Sequence, residues 1–328
     1  MALTRRNLNR LGLGLAAAPF GAFAASAEDY PSRPVHLIVP YAGGGSGDLL
    51  ARLLGEQLSK LWSQQVVIEN KPGAGGLIGT EAAAKSPPDG YTLYLATDGP
   101  LTIAATLHRH LPYDWKGDFA PISMMAVGYQ ILLASPKLPV TNLKDFTALV
   151  KDNPGKYNFA SIGVGSAPHL AAEIFLSMAG LKMTHVPYPG SSQQSITALI
   201  SGDVAMFMVG ISTAVPFVKA DTVRGLAITA PRRTDSLPDV PTFAEFGMPK
   251  MDYSLWFAVE APSGTPPAII KKIHDDMAKV AANPEYGKGL HTRGFEAQSD
   301  TPEQLAAFVE SNYLQVKPII ERLGLQVD

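Results

Sequence analysis

The chain has 328 residues, of which 46% are hydrophobic and 17% charged, and its formal charge is −2. That profile belongs to a folded protein large enough for two cores of ordinary size, and it excludes both a disordered chain and the basic footprint of a nucleic-acid binder. There is no cysteine, so disulfides and thiolate metal sites are excluded as well.

The N-terminal segment carries an export signature. Arg5, Arg6 and Arg10 make a basic start, an apolar stretch runs from Leu11 to Ala25, and Ala25-Ser26-Ala27 offers a small-x-small cleavage site. Residues 1–27 are therefore read as a signal peptide, with Glu28 opening the mature chain in the periplasm. The apolar run, about 15 residues, falls short of the roughly 20 that a membrane span needs. The arginine pair suits a twin-arginine route, although Leu8 stands where Phe is commoner; general secretion fits equally. Removing the three arginines takes the formal charge from −2 to −5, so an anionic ligand would have to be held by local geometry and not by bulk charge.

Beyond that segment, short β-branched or aromatic runs alternate with helical patterns. Strands are expected at Val35–Tyr41, Val66–Glu69, Tyr91–Ala96, Tyr157–Ser161, Met183–Tyr188, Val204–Val209 and Val223–Thr229. Helices are expected between them at Asp48–Leu61, Leu77–Lys85, His169–Ala179, Gln193–Ser201 and Ala214–Ala220. Such alternation implies parallel sheets with helices on their faces, an α/β fold. Two longer amphipathic helices follow at Pro267–Ala282 and Thr301–Leu323, the second with Leu305, Phe308 and Val309 on one apolar face. No low-complexity linker separates two domains, so any crossing runs through ordered structure; the apolar stretches Ile122–Leu132 and Met251–Ala261 are the candidates.

Four glycine-rich loops sit where strands give way to helices: Pro40–Asp48, Asn70–Gly76, Gly163–Leu170 and Pro187–Ser192. In open α/β sheets ligands bind beyond the carboxyl ends of the strands. There glycine lets the backbone approach closely, and the free N–H groups of a helix start, backed by the helix dipole, attract an anion. A phosphate loop fails, since no Gly-Lys-Ser/Thr follows these glycines. A dinucleotide fingerprint fails too, since Asp48 stands where its third glycine belongs and would repel a pyrophosphate.

These loops, in this order behind an export signal, resemble the Bug family, the solute-binding proteins of tripartite tricarboxylate transporters. The resemblance spans the whole mature chain. It rests on Val39-Pro40-Tyr41-Ala42-Gly43-Gly44 with Asp48 and Ala51-Arg52, on Asn70–Gly76 with Ile78-Gly79, and on Pro88-Asp89-Gly90-Tyr91-Thr92-Leu93. Val186-Pro187-Tyr188 with Gly190, Leu237–Thr242 and Ala261–Pro266 complete it. The resemblance implies a type II periplasmic-binding fold in which two α/β lobes close on a ligand. It places the first lobe at Glu28–Ala126 and Tyr253–Asp328 and the second at Val127–Asp252. It implies a small carboxylate as ligand, the membrane subunits of the transporter as partners, a monomer, and no cofactor or metal. Its ligand-gripping positions fall on Tyr41, Gly44, Gly45, Ser46 and Asp48 of the first lobe and on Gly165, Ser166, His169, Tyr188, Gly190 and Ser191 of the second. One departure stands out: Ala205 occupies a place where the family often has Asp.

Several of these residues have ordinary alternative roles. Asp48 suits the positive end of a helix as well as a ligand site. His169 fits packing or capping, Tyr188 fits packing under its loop, and Ser191 and Ser192 read as helix caps. His108 and His110 lack clustered carboxylates, which favours a solvated helix end over a metal site. No Gly-x-Ser-x-Gly elbow, His-Glu-x-x-His or paired loop carboxylates are present, so the expected role is binding and not catalysis. A ligand-sensing partner of a membrane kinase is the alternative, and a periplasmic hydrolase a more distant one. Lys71 is the one Lys or Arg in the loops, so charge does not distinguish among carboxylates.

Overall fold

The computed structural model describes residues 30–189 and 191–325; the export signal read from residues 1–27, and Gly190, lie outside the described residues. Strand β1 (Val35–Val39) pairs in parallel with β2 (Val66–Asn70) on one side and β3 (Thr92–Thr97) on the other. Helices α1 (Ser46–Trp62) and α2 (Leu77–Ala84) make the connections between these strands. A π-helical turn at Gly99–Ile103 and the short α3 (Ala104–Leu107) follow β3.

The first long apolar stretch then becomes β4 (Phe119–Ala134), 16 residues long. Residues Phe119–Tyr129 pair antiparallel with β9 (Ser254–Pro262), the second apolar stretch. Residues Gln130–Ala134 pair antiparallel with β7 (Met206–Gly210). One strand thus serves two half-sheets, changing partners between Tyr129 and Gln130.

The second half-sheet is built from α4 (Leu143–Lys151), β5 (Asn158–Ser161), α5 (Ala167–Ala179), β6 (Thr184–Pro187), α6 (Ser192–Ser201), β7, α7 (Ile211–Lys219) and β8 (Arg224–Ile228). β5 is parallel to both β6 and β7, and β8 runs antiparallel to the end of β4. After β9 come α8 (Pro267–Ala281), α9 (Pro284–His291), β10 (Phe295–Ala297) and α10 (Pro302–Leu323). The strand order is β2-β1-β3-β9-β4-β7-β5-β6, with β8 and β10 both on β4.

The parallel arrangement expected from the alternation therefore holds within each half-sheet but not at the centre. β4 carries the chain across and β9 brings it back, so they run opposite to each other. Each half has its own core. Ile38, Tyr94, Phe119, Met124, Trp256 and Leu305 belong to one; Ile131, Leu133, Phe207, Ile196 and Leu199 belong to the other. The expected face of α10 is present: Leu305 and Val309 are buried and Phe308 packs against the first core. Helices α4 and α9 were not anticipated, although Asn142 and the pair Asn283-Pro284 are recognisable helix starts.

Candidate ligand-binding site

Where the two half-sheets face each other, the loops after β1, β3, β5 and β7 enclose a cavity with about 510 Å³ of empty space, partly open to solvent. Tyr41, Gly45, Ser46, Thr97 and Asp98 line it from one half and Ile162, Ala167, Ser192 and Gly210 from the other, with Leu255 and Phe257 of β9 completing the wall. The halves touch through their backbones and short side chains. Ser212 donates to the Ser46 hydroxyl at 2.7 Å, Thr213 lies 3.2 Å from the same oxygen, and the Gln193 amide reaches the Gly44 carbonyl at 3.4 Å. At Gly75 (φ 66°) the approach is so close that an added Cβ would stand 2.4 Å from the Val164 carbonyl; only glycine fits there without displacing backbone.

Four helices begin at this cavity: α6 after Ser191, whose side chain caps it, and three others, α1 after Gly45, α5 after Ser166 and α7 after Gly210. None of the three has a side chain capping its first turn. The opening N–H groups of a helix lack intrahelical partners, so these helix starts present donors and the positive ends of three dipoles to the cavity. Among the described residues, no Lys, Arg or His lines it.

Of the positions singled out in the sequence, Tyr41, Gly45 and Ser46 line the cavity. The Tyr41 hydroxyl is 3.1 Å from Thr97 Oγ1, and burial, with Asp98 nearby, raises its pKa well above the ordinary tyrosine value. Gly44 lies beside the cavity with φ 83°, and its N–H donates to Asp48 at 2.9 Å. Asp48 is buried and turned into its own loop, where Arg52 also binds it. Burial acts to raise the Asp48 pKa, but the bonds from Arg52, Gly44 and Asn70 outweigh it and hold the carboxyl below the usual range. Asn70 in turn donates to the Tyr41 carbonyl at 3.0 Å, so Asp48, Arg52 and Asn70 brace the first loop from behind.

The second loop is braced in a similar way. The Ser166 hydroxyl donates to the Gly163 carbonyl at 2.6 Å, and the Gly165 N–H donates to His169 Nδ1 at 3.3 Å. The His169 ring stacks on His185 at 4.1 Å between centroids. Burial, reinforced by His185, pushes its pKa down to about 3, so it is a neutral acceptor beneath the loop. Tyr188 is half-buried against the second core, and Ser191 caps α6 by accepting from the Gln194 N–H. Ala205 is buried between backbone bonds to Ser135 and Asn158.

Sequence reasoning missed Thr97, Asp98, Ile162, Gly210, Leu255 and Phe257. Thr97–Asp98 and Gly210 end two strands that were expected, so the rule that ligands sit beyond strand ends was enough to find them. Leu255 and Phe257 carried no such signal, because they belong to a crossing strand that reads as core.

Comparison with known proteins supplies the family. The sequence profile of the tripartite tricarboxylate transporter family receptor matches residues 50–325. The chain belongs to that family. It is 34% identical to Protein BugT of Bordetella pertussis over 323 residues, 98% of both chains. The solved periplasmic binding protein BugD is 30% identical with a TM-score of 0.86, covering 90% of this chain and 99% of that one. R. palustris Rpa4515, solved with adipate, is 31% identical with a TM-score of 0.87 over 90% and 99% of the two chains. The fold of this receptor-family member is accordingly the type II periplasmic-binding one, two α/β lobes with the cavity in the cleft between them. Among the described residues no helix is long and apolar enough to cross a membrane.

Proposed function

We propose that this protein captures a small carboxylate in the periplasm, closes its lobes on it, and delivers it unchanged to the membrane subunits of a tripartite tricarboxylate transporter. One observation carries the reading: the starts of α1, α5 and α7, all without side-chain caps, meet at a single cavity that no cationic side chain lines. Preorganised N–H donors with three helix dipoles behind them are an anion site, and a carboxylate bridging them would draw the lobes together. The adipate bound by a relative at 31% identity supports the same ligand chemistry.

In this proposal Tyr41, Gly45 and Ser46 touch the ligand. Gly44, Asp48, Gly165, Ser166, His169, Tyr188 and Ser191 shape the loops that present it, and Gly190 keeps the ligand-gripping role that the family resemblance implies. Residues 1–27 are the export signal. The lobes comprise Glu28–Ala126 with Tyr253–Asp328, and Val127–Asp252. The change of β4 partners just past Ala126, between Tyr129 and Gln130, supports that division.

The test is calorimetry of the purified protein against a panel of small carboxylates and their neutral amides, with the titrated acid recovered and analysed. An acid that binds, is recovered intact and outcompetes its amide is the expected result. Amides binding as well as acids would overturn the anion site, and conversion of a bound acid would overturn the non-catalytic role.

A further inference from the structure

The cavity wall has a chemistry that the anion site alone does not require. Beside the helix starts it is lined by Ile162, Val209, Leu255 and Phe257, so most of the ligand's body meets hydrocarbon. Among its lining residues the ionisable groups are Tyr41 and Asp98, and neither is a cation. Asp98 is only 2% exposed and is fixed in place: it accepts the Gly99 N–H at 2.9 Å and the Tyr253 hydroxyl at 2.6 Å. Its neighbours on the wall, Thr97 and Tyr41, are hydrogen-bonded to each other. The binding reading assigns Asp98 no task, and a buried carboxylate in a carboxylate cleft needs an explanation.

We infer that the cleft is built for a carboxylate with a single ionised group on a largely apolar body, and that Asp98 is the residue that turns a second carboxylate away. This rests on the proposed anion site. A first carboxylate that bridges the starts of α1, α5 and α7 occupies the place where their donors meet. A second would lie either against the aliphatic and aromatic wall, stripped of water with no compensating bond, or near the Asp98 carboxylate. In a poorly hydrated cleft, like charges a few ångströms apart repel far more strongly than in water. Burial pushes the Asp98 pKa up to about 6, while the bonds from Tyr253 and Gly99 oppose the rise; at neutral pH the group is therefore still mostly ionised. The inference sets this chain apart from the relative solved with adipate, itself a dicarboxylate.

The experiment measures dissociation constants by calorimetry at pH 7.5 for matched pairs: hexanoate with adipate and benzoate with terephthalate, plus hexanamide and benzamide. In the unmodified protein each monocarboxylate should bind at least tenfold tighter than its dicarboxylate partner. In Asp98→Asn, whose oxygen can keep the Gly99 N–H while its NH2 donates to the Tyr253 hydroxyl, that ratio should fall at least threefold. A dicarboxylate that binds the unmodified protein as well as its partner overturns the inference and leaves the carboxylate site standing. A ratio that Asp98→Asn does not move removes Asp98 as the selector. If that variant does not fold, the matched pairs in the unmodified protein still decide the ligand class. Amides that bind as tightly as the acids, or acids that do not bind at all, count against the anion site itself.

Discussion

Two sets of helix starts in this protein solve the same problem in opposite ways, while α2 and α8, which have no side-chain cap and do not line the cavity, belong to neither. Away from the cleft, α4, α9 and α10 are capped by Asn142, Asn283 and Thr301, each accepting from a first-turn N–H, and Thr301 forms a reciprocal capping box with Gln304. At the cleft, α1, α5 and α7 begin at Gly45, Ser166 and Gly210 without a side-chain cap, and of the helices that start there α6 alone has one, from Ser191. Ser166 has a suitable hydroxyl, but it is committed to the Gly163 carbonyl. Capping stabilises a helix by satisfying its N–H groups; withholding it reserves them for a ligand. The same residue class thus stabilises the scaffold in one region and is diverted to hold a loop in the other.

Substitutions in the two regions should separate stability from affinity, the largest effect coming at the cleft. An added Cβ at Gly210 would stand 2.1 Å from Ser46 Oγ. Gly210→Val should therefore weaken the best-binding acid by at least about 100-fold, or ~2.7 kcal/mol. Calorimetry showing near-normal affinity would mean that α7 does not face the ligand. Thr301→Ala removes the capping box far from the cleft, so urea denaturation should show a loss of about 1 kcal/mol with ligand affinity unchanged. A loss of affinity there would dissolve the distinction between the two groups. Ser46→Ala takes away the hydroxyl that meets Ser212 and Thr213 across the cleft. The expected cost is about 0.5–1.5 kcal/mol in affinity, with a smaller change in the unfolding midpoint; the reverse order would make Ser46 a scaffold residue.

The smallest effect concerns the brace beneath the second loop. Burial holds His185 down to about 4, and burial with the neighbouring His185 holds His169 to about 3. An unfolded histidine titrates near 6.5, so between that value and the folded values the unfolded state binds more protons. Stability contributed by the neutral pair is thus complete above about pH 6.5 and declines as the pH falls. In His185→Phe the drop in melting temperature from pH 7.5 to pH 5 should be smaller than in the unmodified protein. An equal or larger drop would show that the pair is not what responds to acid.

The sequence by itself determined the alternating strands and helices, because hydrophobic period and glycine punctuation are local properties of the chain. It also singled out the glycine-rich loops after Val39 and Ser161, residues of which line the cavity, and its resemblance to the Bug family agreed with the family match. Tertiary structure decided the rest. Ile122–Leu132 and Met251–Ala261 read only as apolar runs; their pairing as β4 and β9, with β4 shared by both half-sheets, depends on partners distant in the chain. The direction of Asp48 into Arg52 and Asn70, and of His169 onto His185, followed from packing that spacing along the chain does not encode. Asp98 was invisible for the same reason: a carboxylate after a strand reads as an ordinary turn residue until the fold buries it beside Tyr253 and sets it in the wall of the cleft.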